Sequence, residues 1–115
     1  MMDAPAVQVL SIDVIVSDPK IRRGRPVIKG TGIRVMDLVG YHTGEDKMKA
    51  SELAEAYALD IGLIHAALAY YYLHQDEIDA DIQADLERGE QLFSELEAQG
   101  KARRIPIHPN DLVQE

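Results

Sequence analysis

The sequence contains no cysteine and no tryptophan, a single phenylalanine against five tyrosines, and no long apolar run. Without thiols there can be no disulfide framework, thiolate metal centre or cysteine nucleophile, and a reducing compartment fits best. With so few aromatic residues, a core has to be built from aliphatic side chains. No window approaches the roughly 18 apolar residues that a membrane-spanning helix needs. Met1-Met2-Asp3-Ala4-Pro5 also lacks the basic stretch and apolar run of a secretory leader. The expectation is a soluble protein of the cytoplasm with no membrane contact. A surplus of positive charge is missing too, and a net charge of −8 argues against general nucleic-acid binding over the whole surface.

What is present fits one folded domain with frayed ends: 115 residues, 46% of them hydrophobic and 28% charged. The charge is segregated along the chain. Between Ser17 and Val35 the cations Lys20, Arg22, Arg23, Arg25, Lys29 and Arg34 face only Asp18. Between Asp76 and Glu97 nine carboxylates face only Arg88. Such polarity suggests two binding surfaces with different partners, although a charge run is also the ordinary solvated face of a folded protein.

Residues Val7 to Val16 are β-branched and partly alternating, which predicts one or two short strands with Val7, Val9, Ile12, Val14 and Val16 inward. Asp18-Pro19 and Gly24 mark turns, Arg25-Pro26-Val27-Ile28 a second extended piece, and Gly30-Thr31-Gly32 a further turn. Apolar spacing then predicts a short helix from Val35 to His42 and a polar connection through Gly44. Ser51 is the expected N-cap of a helix from Glu52 to Leu59, and Asp60 the cap of a helix from Ile61 to about His74. That last helix is apolar on nearly every face and must be covered on most sides. A further amphipathic stretch, with Ile78, Ile82, Leu86, Phe93 and Leu96 in i, i+4 style, runs to Gly100 and either continues the preceding helix or comes after it. The tail from Lys101 has prolines at 106 and 109 and no period, so it is expected to be extended or flexible.

The segment from Glu52 to Leu68 has the spacing of a helix-turn-helix: small residues at Ala54 and Ala58 where two steeply crossed helices touch, and buried anchors at Ile64 and Leu68. An ordinary helical hairpin with alanine contacts reads equally well. The positions of the second helix that would enter a major groove are Ile61, Gly62, Leu63, His65 and Ala66, and only His65 has a hydrogen-bonding side chain. Base readout needs forked donors, so this face is expected to dock protein: a second copy or a partner. Contact with nucleic acid then falls to Lys20, Arg22, Arg23, Arg25, Lys29 and Arg34 by phosphate neutralisation. The same cations could instead keep an edge strand from pairing with another chain.

Readings as an enzyme find no support. Gly30-Thr31-Gly32 lacks the third glycine of a dinucleotide loop, and Lys29-Gly30-Thr31 reverses the order of a phosphate loop. His42, His65, His74 and His108 form no i, i+4 pair, and Glu77, Asp81 and Asp85 read first as a solvated stripe. No nucleophile has a base nearby in sequence, and no cofactor or metal is expected.

The segment Asp18-Pro19-Lys20-Ile21-Arg22-Arg23-Gly24-Arg25-Pro26-Val27-Ile28-Lys29-Gly30-Thr31-Gly32-Ile33-Arg34-Val35 resembles the opening motif of the family called domain of unknown function 433. That motif runs Pro, a short gap, Gly-x-Pro-Val-Ile-x-Gly-Thr, an apolar residue and a helix. Ala66-Ala67-Leu68-Ala69-Tyr70-Tyr71 is similar to the family's second half, and the likeness covers about residues 10 to 75. Many members have Arg directly after Gly-Thr, where this chain has Gly32, with Arg34 two places on.

The resemblance implies a mainly α fold: a homeodomain-like three-helix, helix-turn-helix core with short N-terminal β-strands, followed here by the C-terminal amphipathic acidic helix. The expected organisation is a folded core over 1–75, the acidic helix over 76–100 and a flexible tail over 101–115. It also implies the antitoxin of a type II toxin–antitoxin pair, neutralising a PIN-like ribonuclease toxin and binding operator DNA. Partner-binding candidates are Ile61, Leu63 and His65 on the apolar helix, Ile82, Leu86 and Phe93 on the acidic one, and Arg103 and Arg104, which could enter a toxin's carboxylate metal site. A homodimer is expected, since most homo-oligomers are twofold. The alternative is a stand-alone DNA-binding regulator or a protein-interaction module.

Overall fold

A computed structural model describes residues 6–103. The chain divides into two compact units, one ending at Asp79 and the other beginning at Ala80. The first opens with a strand β1 (Ile15–Val16) paired antiparallel with β2 (Val27–Ile28), Ile15 opposite Ile28 and Val16 opposite Val27. On its other side β2 meets the chain returning from the next turn: the Ile28 amide donates to the Ile33 carbonyl at 3.0 Å, and the Val35 amide donates to the Pro26 carbonyl at 2.9 Å. Each residue of the Gly-x-Pro-Val-Ile-x-Gly-Thr motif has a local task here. Gly24 and Gly30 sit at φ +77° and +79°, where a side chain would be strained. The Thr31 hydroxyl donates to the Ile28 carbonyl at 2.8 Å and accepts from the Ile33 amide at 3.0 Å, closing the turn. Val27 and Ile28 are wholly buried beneath it.

Three helices come next: α1 (Val35–Thr43), α2 (Ala50–Tyr57) and α3 (Ile61–Leu73). α3 packs on both α1 and α2 and also touches β1. The core is aliphatic as the composition requires, with Val35, Leu38, Val39, Leu53 and Ile64 fully buried and Tyr71 its one aromatic member. Burial of such a side chain stabilises by about 1.5–3 kcal/mol. α2 and α3 are joined by the three residues Ala58-Leu59-Asp60. Ala58 is left-handed (φ 54°, ψ 44°), and its amide reaches back to the Ala54 and Glu55 carbonyls. Alanine resists that conformation and glycine does not, so Ala58→Gly is expected to raise stability by about 1 kcal/mol, seen as a higher urea midpoint.

Helix boundaries depart from the sequence reading in ways that capping explains. α2 starts at Ala50 rather than Glu52, with Lys49 at its N-cap; the Lys49 amide donates to the Glu52 carboxylate at 3.0 Å, so Glu52, not Ser51, satisfies a terminal amide. Asp60 does stand at the N-cap of α3, but its carboxylate makes no capping hydrogen bond. The apolar and acidic stretches are two helices, because His74 leaves helical geometry (φ −131°, ψ 39°) and its ring stacks on Tyr70 at 4.1 Å. The N-terminal stretch pairs only at Ile15 and Val16. Val7, Val9 and Ile12, expected inward, are 94%, 85% and 77% exposed, because β2 and the helices already close the core without them.

α4 (Gln75–Ala98) begins within the first unit. Ile78 is 1% exposed, and the Tyr71 hydroxyl donates to Asp79 Oδ1 at 2.8 Å. Burial, then the bond to Asp79 and its charge, raise the Tyr71 pKa above the ordinary 10.0. A raised folded-state pKa contributes stability that is complete below the unfolded value and lost as pH climbs through the folded one. Tyr71→Phe is expected to cost about 1 kcal/mol at neutral pH and to flatten the fall in stability at alkaline pH, both read by urea unfolding.

The second unit comprises the rest of α4 and the described residues that follow it, to Arg103. Ile82, Phe93 and Leu96 are half-buried, whereas Leu86 and Leu92 are 63% and 55% exposed. Gly100, at φ +73°, ends the helix as its sequence position predicted, with the Lys101 amide donating to the Leu96 carbonyl at 2.8 Å. Among the described residues no helix is long and apolar enough to cross a membrane.

Candidate functional site

The basic segment is built on an unusual turn. Arg22, Arg23 and Gly24 are all left-handed, at φ 51°, 58° and 77°. The turn is held by the Ser17 hydroxyl, which donates to the Gly24 carbonyl at 2.6 Å, and by Asp18, whose carboxylate accepts from the Lys20 amide at 2.9 Å. Two non-glycine residues in this region cost roughly 1–2 kcal/mol each. The turn leaves Lys20, Arg22 and Arg23 exposed, and Lys29 is exposed one turn further on.

The six candidate cations are not equivalent. Arg34 lies just before α1 and grips Asp37 with both arms of its guanidinium, Nε to Oδ2 at 3.0 Å and Nη2 to Oδ1 at 2.8 Å. Arg22 approaches the same carboxylate at 3.6 Å. Arg25 lies half-buried with Nη1 3.9 Å from the Met36 sulfur. Lys20, Arg23 and Lys29 therefore carry the most accessible charge, while Arg22 and Arg34 share a counter-ion. Asp37 escaped the sequence reading. Its signal was the i, i+3 spacing from Arg34 at the first turn of a helix, where a carboxylate also favours the dipole.

A second surface lies on the outer side of α3. Ile61, Gly62, His65, Ala69, Tyr72 and Leu73 are exposed at helical spacing, Ile61 by 44%, Tyr72 by 59% and Leu73 by 80%. Leu63 and Ala66, read from sequence as part of this face, are half-buried. His65 and Tyr72 are its only hydrogen-bonding side chains. A groove of about 300 Å³ runs where the N-terminal segment meets the helix, lined by Ile12, Ile15, Ala66, Ala69, Tyr70 and Leu73. In the second unit, Ile82 and Phe93 are half-buried, Leu86 and Arg103 exposed, and Arg104 lies outside the described residues.

Burial, with smaller contributions from Tyr41 and Asp37, raises the Tyr57 pKa above 10.0. Raised tyrosine pKa values at 57 and 71 make these hydroxyls poorer proton donors and nucleophiles at neutral pH. Among the described residues no three His, Asp or Glu side chains converge as a metal site would need.

A mainly helical chain with a two-stranded antiparallel sheet at its start defines the class of protein. The chain belongs to the DUF433 family of proteins of unknown function, whose sequence model matches residues 15–71. No curated protein and no solved structure matches it. The matched span runs from β1 to Tyr71 near the end of α3, so the N-terminal arm before Ile15 and the acidic helix α4 lie outside it.

Proposed function

We propose that the protein is the cytoplasmic antitoxin component of a type II toxin–antitoxin pair, acting as a homodimer that neutralises a PIN-like ribonuclease toxin and contacts operator DNA through the Lys20–Arg34 segment. The observation that carries this reading is α4: beyond Asp79 it forms a unit of its own, outside the family span, with exposed Leu86 and Leu92 set among carboxylates. An acidic helix with an apolar stripe complements a groove that binds RNA, which must be basic. Arg103 is exposed just past the helix, and in this reading its guanidinium pairs with the carboxylates of such an enzyme's metal site.

The left-handed turn supports the DNA contact. Glycine would sit there without strain, so what Arg22 and Arg23 add over glycine is their guanidinium groups. A protein-interaction module is the second reading, favoured by the apolar outer face of α3. A stand-alone regulator reading bases with α3 is disfavoured by the same face, which offers no forked donor.

The test is affinity capture of the tagged full chain from its native cells, beside a chain ending at Ala80, which keeps Ile78 in the core and the Tyr71–Asp79 bond. A small ribonuclease at near-equal amount with the full chain, and its loss with the shortened one, is the expected result. Capture of no ribonuclease by the full chain would overturn the antitoxin reading.

A further inference from the structure

β1 is an edge strand. β2 has β1 on one side and the residue 33–34 stretch on the other, through the Val27–Arg34 bridge, whereas β1 pairs with β2 alone. Upstream of β1, residues 6–13 make no backbone–backbone hydrogen bond among the described residues; the first is the Val14 carbonyl, which accepts from the Lys29 amide at 2.8 Å. Natural edges are guarded by lysine, proline, a bulge or a covering element. The stretch Ala6-Val7-Gln8-Val9-Leu10-Ser11-Ile12-Asp13-Val14 has no proline, no lysine or arginine and one carboxylate. Its β-branched content and low charge are those of a strand that pairs.

Its side chains are as unsatisfied as its backbone. Val7, Val9, Leu10 and Ile12 are 77–94% exposed, and Tyr72 and Leu73 on α3 add 59% and 80%. Together these place six large hydrophobic side chains of each chain in solvent, where a standard stable interface draws about 800 Å² from each partner. The groove between Ile12 and Leu73 adjoins both sets.

We propose that this arm is a dimerisation strand: Val7–Val14 of one copy pairs antiparallel with the same segment of a second copy, and its aliphatic side chains fill the groove against Ala69 and Leu73. The inference rests on the homodimer in the reading above and assigns its interface. A twofold antiparallel pairing satisfies both edges at once and is closed, so it ends at two chains. Up to eight residues at about 3.3 Å each give a ribbon of about 26 Å. Because the contact is apolar and nearly uncharged, it is insensitive to salt, unlike any contact made by the Lys20–Arg34 segment.

The experiment is analytical ultracentrifugation of the purified full chain at several concentrations, compared with Val9→Lys/Ile12→Lys and with Tyr41→Lys, an exposed position on α1 outside both proposed surfaces. The arm lies outside the buried core, so at concentrations below the dimer's dissociation constant circular dichroism and the urea midpoint of the arm variant are expected to match the unaltered chain. The expected result is a dimer for the unaltered chain and for Tyr41→Lys, with self-association of the arm variant weakened roughly a hundredfold or more by loss of four apolar side chains and addition of four like charges per dimer. A dimer unaffected by the arm substitutions overturns the proposal while leaving the homodimer standing. A monomeric unaltered chain overturns both, and neither result bears on toxin capture by α4.

Discussion

Leu53→Ala is expected to lower the unfolding free energy by about 2–5 kcal/mol. Leu53 is fully buried and is the one buried residue of α2. The eight residues of α2 are too few to hold a helix in water by themselves, so α2 stays helical because this side chain anchors it to the rest of the core. Truncation removes the transfer free energy of three carbons and their attached hydrogens and opens a cavity that rigid neighbours only partly close. A domain of this size has about 5–15 kcal/mol in total, so a large fraction of its stability depends on one residue. Urea unfolding followed by circular dichroism measures the loss. A change under about 0.5 kcal/mol, the range of a neutral surface substitution, would mean that α2 is held by something other than Leu53.

Reversing the charge of the most accessible cations, in a Lys20→Glu/Arg23→Glu/Lys29→Glu variant, is expected to abolish binding to duplex DNA at moderate salt. Each lost phosphate contact lowers the slope of log K against log salt by about 0.9, so three contacts lower it by nearly 3 units. The converse variant is Asp37→Asn. It releases the Arg34 fork and the Arg22 guanidinium from their shared carboxylate, so affinity is expected to rise several-fold as stability falls by about 1 kcal/mol through loss of the ion pair and the helix-dipole contact. Fluorescence anisotropy over a salt series reads both. Equal affinity of all three proteins, or binding that ignores salt, would show that the segment does not meet phosphate and would return its cations to the simpler role of guarding a strand.

The parts of the molecule that could be read from sequence are those governed by near neighbours. Glycines 24 and 30 and Thr31 announced their turns because a left-handed backbone and a hydroxyl-closed turn are decided within a few residues. α1 and α3 were legible from apolar spacing, and Gly100 from its place after the last apolar residue of α4. The site was legible only as a set of cations. Nothing in a count of charges separates Lys20, Arg23 and Lys29 from Arg34, which is held by Asp37, or from Arg25, which lies against Met36.

By itself, then, the sequence determined the helical class, the separation of basic from acidic segments and the motif that places the chain in its family. The anchors Ile64 and Leu68 were legible too, but tertiary structure alone decided which strand-like aliphatic residues are buried. Val27 and Ile28 lie in the core while the equally strand-like Val7, Val9 and Ile12 lie on the surface. It also decided where the long helical stretch breaks, at His74 stacked on Tyr70. The physical reason is the same in each case. Backbone preference belongs to a residue and its neighbours, whereas burial and ion pairing depend on surfaces brought together from elsewhere in the chain.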